Sequence, residues 1–274
     1  MQIQEALDTF LIQLEADGRS IHTRKQYARH VRLFTNWAHE VGHSGAIDKF
    51  DEPFVAKFFV SDTGKNTARG AKRKATAANA LRTSIRVFFG FCHDAGWTPK
   101  NAARLLRRAI APPPAPRALS EAEEARFVAA LEDATPRDHT LFTLMLKTGI
   151  RLSTALALNI EDIDIDGIMD IWMKGDQQER LEFSPNVASI LTGFIGDRFS
   201  GPFICGQGGS RLGTRQAQRR FRVLADLARL PKRVSPHALR HTFATRLYQK
   251  TSDILAVKNA LMHRSIESTM VYVK

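Results

Sequence analysis

Near its far end the chain reads Ser235-Pro-His-Ala-Leu-Arg-His241, which sets two imidazoles and a guanidinium within seven positions. Ser235 suits an N-cap, and Pro236 suits the first helical position, where no backbone donor is needed. A helix starting there carries His237, Arg240 and His241 at i, i+3 and i+4, on one face of its first turns. Cationic and titratable groups beside the positive end of a helix welcome an anion. His263 follows, and Tyr272 comes nine residues after it. The set has the chemistry of a phosphate site with a nucleophile attached.

Cleaving a phosphodiester requires that two non-bridging oxygens be held and their developing charge matched, a task suited to the bidentate fork of arginine. It also needs a nucleophile in line with the leaving oxygen and a proton donor for that oxygen. Arg151 follows the Gly149 turn at a helix start, and Lys174 sits at a hairpin tip from which a long amine can reach a groove. Taken singly, each has an ordinary reading: a helix-start arginine, a solvated lysine, a satisfied histidine, an aromatic near a chain end. Their order and spacing together are less ordinary. His237 and His241 have a zinc-like i, i+4 spacing, but Ala238 stands where a zinc hydrolase needs glutamate. No acidic cluster or Cys/His set suggests Mg²⁺ or Zn²⁺, so metal-independent chemistry is expected.

The elements that must position these residues can be read from periodicity. Residues 117–274 open with a capping box, Ser120 to Glu123, ahead of a helix containing Phe127, Val128 and Leu131. Another helix runs from about Asp138 to Lys147 and stops at Thr148-Gly149, and Thr154–Leu158 is helical. From Asp162 the pattern turns to strands: Ile163–Ile165 and Ile168–Met173 across Asp166-Gly167, then Arg180–Phe183 after the turn Gly175–Gln178. A small three-stranded antiparallel sheet is expected, with Lys174 at its second tip. Helices starting at Ser184-Pro185 and at Thr214 follow, the latter with Phe221, Leu224 and Leu227 as its core stripe.

Residues 1–110 read as all helix, with apolar stripes in four segments: Ile3–Leu14, Tyr27–Ala38, Pro53–Val60 and Thr76–Asp94. Between the last two lies Gly64–Lys74, with Lys65, Arg69, Lys72, Arg73 and Lys74 and no acid. Either a solvated loop or a phosphate contact fits that run. The net charge is +12, and residues 1–116 hold 18 Lys+Arg against 10 Asp+Glu. With a pI near 10.1, so basic a chain points to a polyanion, nucleic acid before a membrane surface. Ala111–Pro116 marks a boundary; six extended residues reach about 19 Å, on the order of a duplex diameter, so two domains could straddle DNA. No stretch approaches a membrane span or a signal peptide. Cys92 and Cys205 read as reduced, buried and structural, as in a cytoplasmic protein.

Thr148-Gly-Ile-Arg-Leu-Ser153, Lys174-Gly175, His237-Ala-Leu-Arg-His241, and Leu261-Met-His263 with Tyr272 resemble the signature boxes of the tyrosine recombinase (phage integrase) family. The resemblance covers essentially the whole chain, though for the front domain it is architectural only. It implies a mainly α fold: an all-helical, SAM-like core-binding domain over 1–110, a linker over 111–116, and an α+β catalytic domain over 117–274. It implies that Tyr272 attacks the scissile phosphate, forming a 3′-phosphotyrosyl bond and freeing a 5′-hydroxyl. Arg151 and Arg240 would clamp the non-bridging oxygens, and Lys174 would be the acid for the leaving oxygen. His237 would assist proton transfer at the tyrosine, His263 would hydrogen-bond the phosphate, and His241 is left structural.

The implied partner is double-stranded DNA, engaged by a homotetramer on two sites, with no cofactor, metal or ATP. Three features depart from the family pattern. Thr154 stands where an acid is common, Met262 stands where glycine is common before the histidine, and only Val273-Lys274 follow the tyrosine, where a docking tail is usual. A type IB topoisomerase-like enzyme and a non-catalytic DNA-binding protein on the same scaffold are the alternatives.

Overall fold

Apolar residues at helical spacing give the first part of the chain five helices among the described residues. The structure, a computed structural model, describes residues 1–110, 117–164, 167–173, 177–263 and 265–272, with the backbone alone at 172, 173, 177 and 178. Two compact units divide the chain, Met1–Pro113 and Pro114–Lys274. The Pro-rich stretch 111–116 falls outside the described residues.

In the first unit, α1 (Ile3–Ala16) buries Ile3, Leu7, Phe10 and Leu14, and α2 (Ile21–Glu40) begins under Ser20, whose hydroxyl accepts from the Thr23 amide. Asp51 caps α3 (Glu52–Val60), and Ser61 caps the one-turn α4 (Asp62–Lys65). Helix α5 (Ala75–Asp94) turns Leu81, Ile85, Phe88, Phe89 and Cys92 inward. The core is built on rings. Phe34, fully buried, meets Phe50, Phe58 and Phe89 at centroid distances of 5.3, 5.2 and 5.6 Å. Tilted and edge-on pairs of this kind match the negative face of one ring to the positive edge of another.

In the second unit, the expected capping box opens α6 (Glu121–Glu132). Next comes α7 (Pro136–Thr148), with Leu141, Phe142, Leu144, Met145 and Leu146 all buried. Buried on nearly every side, α7 is the central helix around which the unit packs. Then come α8 (Leu152–Ala157), β1 (Ile168–Met173), β2 (Gln177–Glu182), α9 (Pro185–Ile195), α10 (Thr214–Leu227), α11 (His237–Thr251) and α12 (Ile254–Ala260). The last described stretch is two 3-10 turns, Ile266–Ser268 and Met270–Tyr272.

Several expectations change. The sheet has two antiparallel strands, with Ile168 opposite Glu182 and Met173 opposite Gln177. Of the expected first strand, Ile163 forms one isolated bridge to Met169, and Ile165-Asp166 lie outside the described residues. Ile163 leaves a 3-10 turn, Ile160–Asp162, which holds the chain off the ladder just before it. Gln177 and Gln178, expected in a turn, begin β2. Leu227 is 66% exposed because the buried face of α10 runs through Phe221, Leu224 and Ala225 to Ala228, and position 227 lies off it. Cys205 is only partly buried, whereas Cys92 is buried. The Ser235 side chain makes no cap. Instead the Ala238 and Leu239 amides reach the carbonyls of Ser235 and Pro236, so α11 enters through a tight i to i+3 turn.

Candidate active site

The Arg240 side chain collects three of the singled-out segments. Its guanidinium, 3% exposed, donates through one terminal nitrogen to the Gly149 carbonyl and through the other to the Leu261 carbonyl, both at 2.6 Å. Gly149 lies two residues before Arg151, and Leu261 two before His263, so one arginine ties both segments to α11. A buried guanidinium without acceptors would be costly; two free carbonyls at helix ends supply them. Burial, and then the charge of Arg151, bring the Arg240 pKa down to about 10, so it remains a cation at neutral pH.

The turn that delivers Arg151 depends on glycine. Helix α7 ends with Gly149 at φ 68°, and a Cβ there would collide with the Phe243 ring and come within 2.9 Å of Leu261. A left-handed backbone and a missing side chain are both needed at that point. Buried Ile150 then anchors the turn, and Arg151, half-buried, becomes the N-cap residue of α8.

At the end of α12, Met262 takes φ 51°, with its amide on the Asn259 carbonyl and the His263 amide on that of Lys258. This is the left-handed helix ending in which glycine is usual, accomplished here by a methionine. His263 Nδ1 lies 2.9 Å from the Thr269 hydroxyl, and the carbonyl of that fully buried threonine receives the Tyr272 amide. Thr269 thus links His263 to the turn that carries Tyr272.

Tyr272 is 7% exposed, and its hydroxyl lies 2.8 Å from His241 Nδ1. Reading the sequence missed this: it left His241 structural and put His237 beside the phenol. His237 is solvent-exposed, with its ring edge-on to that of His241 at 4.6 Å. The available signal was the i+4 spacing, which puts position 241 one turn further along the face of 237 and toward the chain end. Lys174 is outside the described residues. Thr154 shares with Arg151, Arg240 and Met262 a recess of about 10 Å³, room for about one water, and no carboxylate stands at that position to offset the two guanidiniums.

The site is cationic and partly buried. Burial holds His241 and His263 down to about 4, helped at His241 by the charges of His237 and Arg240, and at His263 by Arg240 and Arg151. His237 is lowered too, by the partial desolvation of its ring against the site and then by Arg240 and Arg151. His241 and His263 are therefore neutral at pH 7, leaving the fixed positive charge beside them to the arginines. Burial raises the Tyr272 phenol, while Arg240 and Arg151 pull it the other way. Such a site favours a bound anion and a phenolate once one is forming.

In the first unit the basic run is a closed turn, with Asn66 bridged to Lys72 and the Thr67 amide on the Ala71 carbonyl. Lys65, Arg69, Lys72 and Lys74 are exposed. Arg73 is half-buried and donates to the Thr63 and Gly64 carbonyls, so it braces the turn. The same turn borders an open groove of about 1110 Å³ whose other wall includes Lys25, Arg29 and Arg32 of α2, which the sequence reading did not single out. On a helix otherwise read for its apolar stripe, the opposite face carries that charge.

Among the described residues, no helix is long and apolar enough to cross a membrane, and no three His, Cys, Asp or Glu side chains group around a metal-sized space. Residues 117–274 match the model of the phage integrase family. The tyrosine recombinase XerC of Rhodospirillum centenum is 31% identical over 287 residues, covering 98% of this chain and 82% of that protein. XerC of Chromobacterium violaceum is 28% identical over 278 residues, covering 98% and 90%. The fold is similar to that of the XerH site-specific recombinase bound to its difH substrate before cleavage, with a TM-score of 0.72 and 21% identity over 97% of this chain and 79% of that one. With a family model matching residues 117–274 and a relative 31% identical along 98% of the whole chain, this chain belongs to the phage integrase family of tyrosine recombinases.

Proposed function

We propose that the protein cuts and rejoins double-stranded DNA at a specific site through a 3′-phosphotyrosyl intermediate, without metal or ATP. The observation that carries the reading is the convergence on Arg240: its guanidinium bonds the Gly149 and Leu261 carbonyls and lines one recess with Arg151, and its charge favours the phenolate of Tyr272. Arg151 and Arg240 hold the non-bridging oxygens of the scissile phosphate. Tyr272 attacks phosphorus. His263, with its Nδ1 engaged by Thr269, offers its other nitrogen to the phosphate, and His237 lines the site from the solvent side. Lys174 protonates the leaving 5′ oxygen. The phosphotyrosyl bond keeps the energy of the phosphodiester, so rejoining needs no nucleotide.

The first unit acts as the family's SAM-like core-binding domain, gripping the DNA backbone with Lys65, Arg69, Lys72 and Lys74, while Arg73 shapes their turn. Two DNA sites held by four copies in the cytoplasm complete the reading. Incubating the protein with a nicked suicide duplex in EDTA tests it. A covalent adduct is expected, and it disappears in Tyr272→Phe. An adduct that requires added metal would overturn the metal-free chemistry, and supercoil relaxation without site preference would make the enzyme a topoisomerase.

A further inference from the structure

We propose that His241, the second histidine of the His237-Ala-Leu-Arg-His241 run, is the base that takes the phenolic proton as Tyr272 attacks. The proposal deepens the recombinase reading and rests on it.

The geometry is already in place without substrate. His241 Nδ1 is 2.8 Å from the Tyr272 oxygen, and the two rings lie 5.5 Å apart and tilted by 52°. The other histidines are placed for different work. His263 has its Nδ1 on the Thr269 hydroxyl, and His237 meets His241 edge-on rather than the phenol. The Tyr272 amide donates to the Thr269 carbonyl, and the side chain packs with Ala244, Val257 and Leu261, so the phenol is buried and held against the partly buried His241 ring.

Protonation states agree with the geometry. His241 is neutral at pH 7 because burial and its cationic neighbours disfavour the imidazolium, which leaves a ring lone pair able to accept. With the phenol raised and the imidazole lowered, the proton stays on the tyrosine in the resting site. Transfer therefore belongs to the attack itself. As the bond from the Tyr272 oxygen to phosphorus forms, the phenol becomes strongly acidic, and the arriving phosphate charge makes the imidazole more basic. The bond from phosphorus to the 5′ oxygen breaks, the phenolic proton passes to His241, and the departing oxygen takes a proton from the acid assigned to Lys174. Rejoining reverses both transfers.

The test separates proton acceptance from positioning. In His241→Asn the amide can keep a hydrogen bond to the phenol but cannot accept its proton. Adduct formation on a pool of nicked duplexes randomised around the nick is expected to slow by about 10²-fold or more. Placing a difluorotyrosine at position 272 by codon suppression supplies a phenol that ionises without help. It should restore most of the rate in His241→Asn and give no acceleration in the parent, and the restored rate also shows that the variant is folded. Wild-type rates in His241→Asn, or a slow variant that the fluorinated phenol fails to rescue, would overturn the proposal. Absence of any Tyr272-dependent adduct in the unmodified protein is a different result: it rejects the recombinase reading itself.

Discussion

The ring-packed centre of the first unit and the Arg240 centre of the second are assembled by different forces. Around Phe34, position is set by many apolar contacts, none of which is indispensable. Around Arg240, position is set by two charge-assisted bonds to carbonyls, one glycine turn, and a threonine bridging His263 to the Tyr272 turn. Tyr272 belongs to a small cluster with Ala244, Val257 and Leu261, apart from the main core of its unit. The difference teaches that stability here is distributed and chemistry is concentrated. Changes of similar size should therefore act on different observables in the two places.

Tyr272→Phe tests the concentrated side most severely. It removes one hydroxyl and one hydrogen bond, so stability should fall by only about 1 kcal/mol, while adduct formation drops below detection. Phe34→Ala is its converse: about 3–5 kcal/mol lost from the unfolding of the first unit, with cleavage per folded molecule on saturating DNA unchanged. If both variants lost activity and stability in proportion, the separation of roles would be wrong.

Gly149→Ala should damage both properties. The left-handed backbone costs about 1 kcal/mol, and the clash with Phe243 and Leu261 adds to it. Because Gly149 also presents its carbonyl to Arg240, urea unfolding and adduct kinetics should worsen together. A Gly149→Ala protein with full cleavage would show that the Arg240 tie is dispensable.

Acid should weaken both units by the same mechanism. His30 in the first unit, and His241 and His263 in the second, are held near 4 against an ordinary value of 6.5. The unfolded chain therefore takes up protons that the folded one refuses, and stability declines as pH falls from about 6.5 to about 4. His30 is fixed by the Ser84 hydroxyl at 2.7 Å and faces Arg29. Replacing it by Gln should flatten the first unit's share of a melting-temperature profile over that range, and an unaltered slope would assign the effect elsewhere.

The smallest effect distinguishes two left-handed residues. Ser252 ends α11 at φ 52° with an exposed side chain, so Ser252→Gly should stabilise by about 0.5–1 kcal/mol. Met262 adopts φ 51° but packs against the main core, so Met262→Gly gains the same relief and loses burial. Its net change should lie nearer zero in the same chemical denaturation.

Much of this was readable in the chain. Helix stripes placed the first unit's core, the Ser120 to Glu123 box placed α6, and the spacing of Arg151, Arg240, His263 and Tyr272 named a phosphate chemistry, because such signals lie within a few residues or in an ordered series of motifs. What the chain could not reveal depended on partners distant along it. The choice of His241 over His237 turns on where a C-terminal turn, 31 positions away, brings its phenol. That Arg240 ties two carbonyls together, and that Arg73 braces a turn whose neighbours stay exposed, likewise depends on which acceptors the fold leaves unpaired at helix and loop ends. Residue type and spacing state what a side chain can do; burial and the nearest unpaired atom decide what it does.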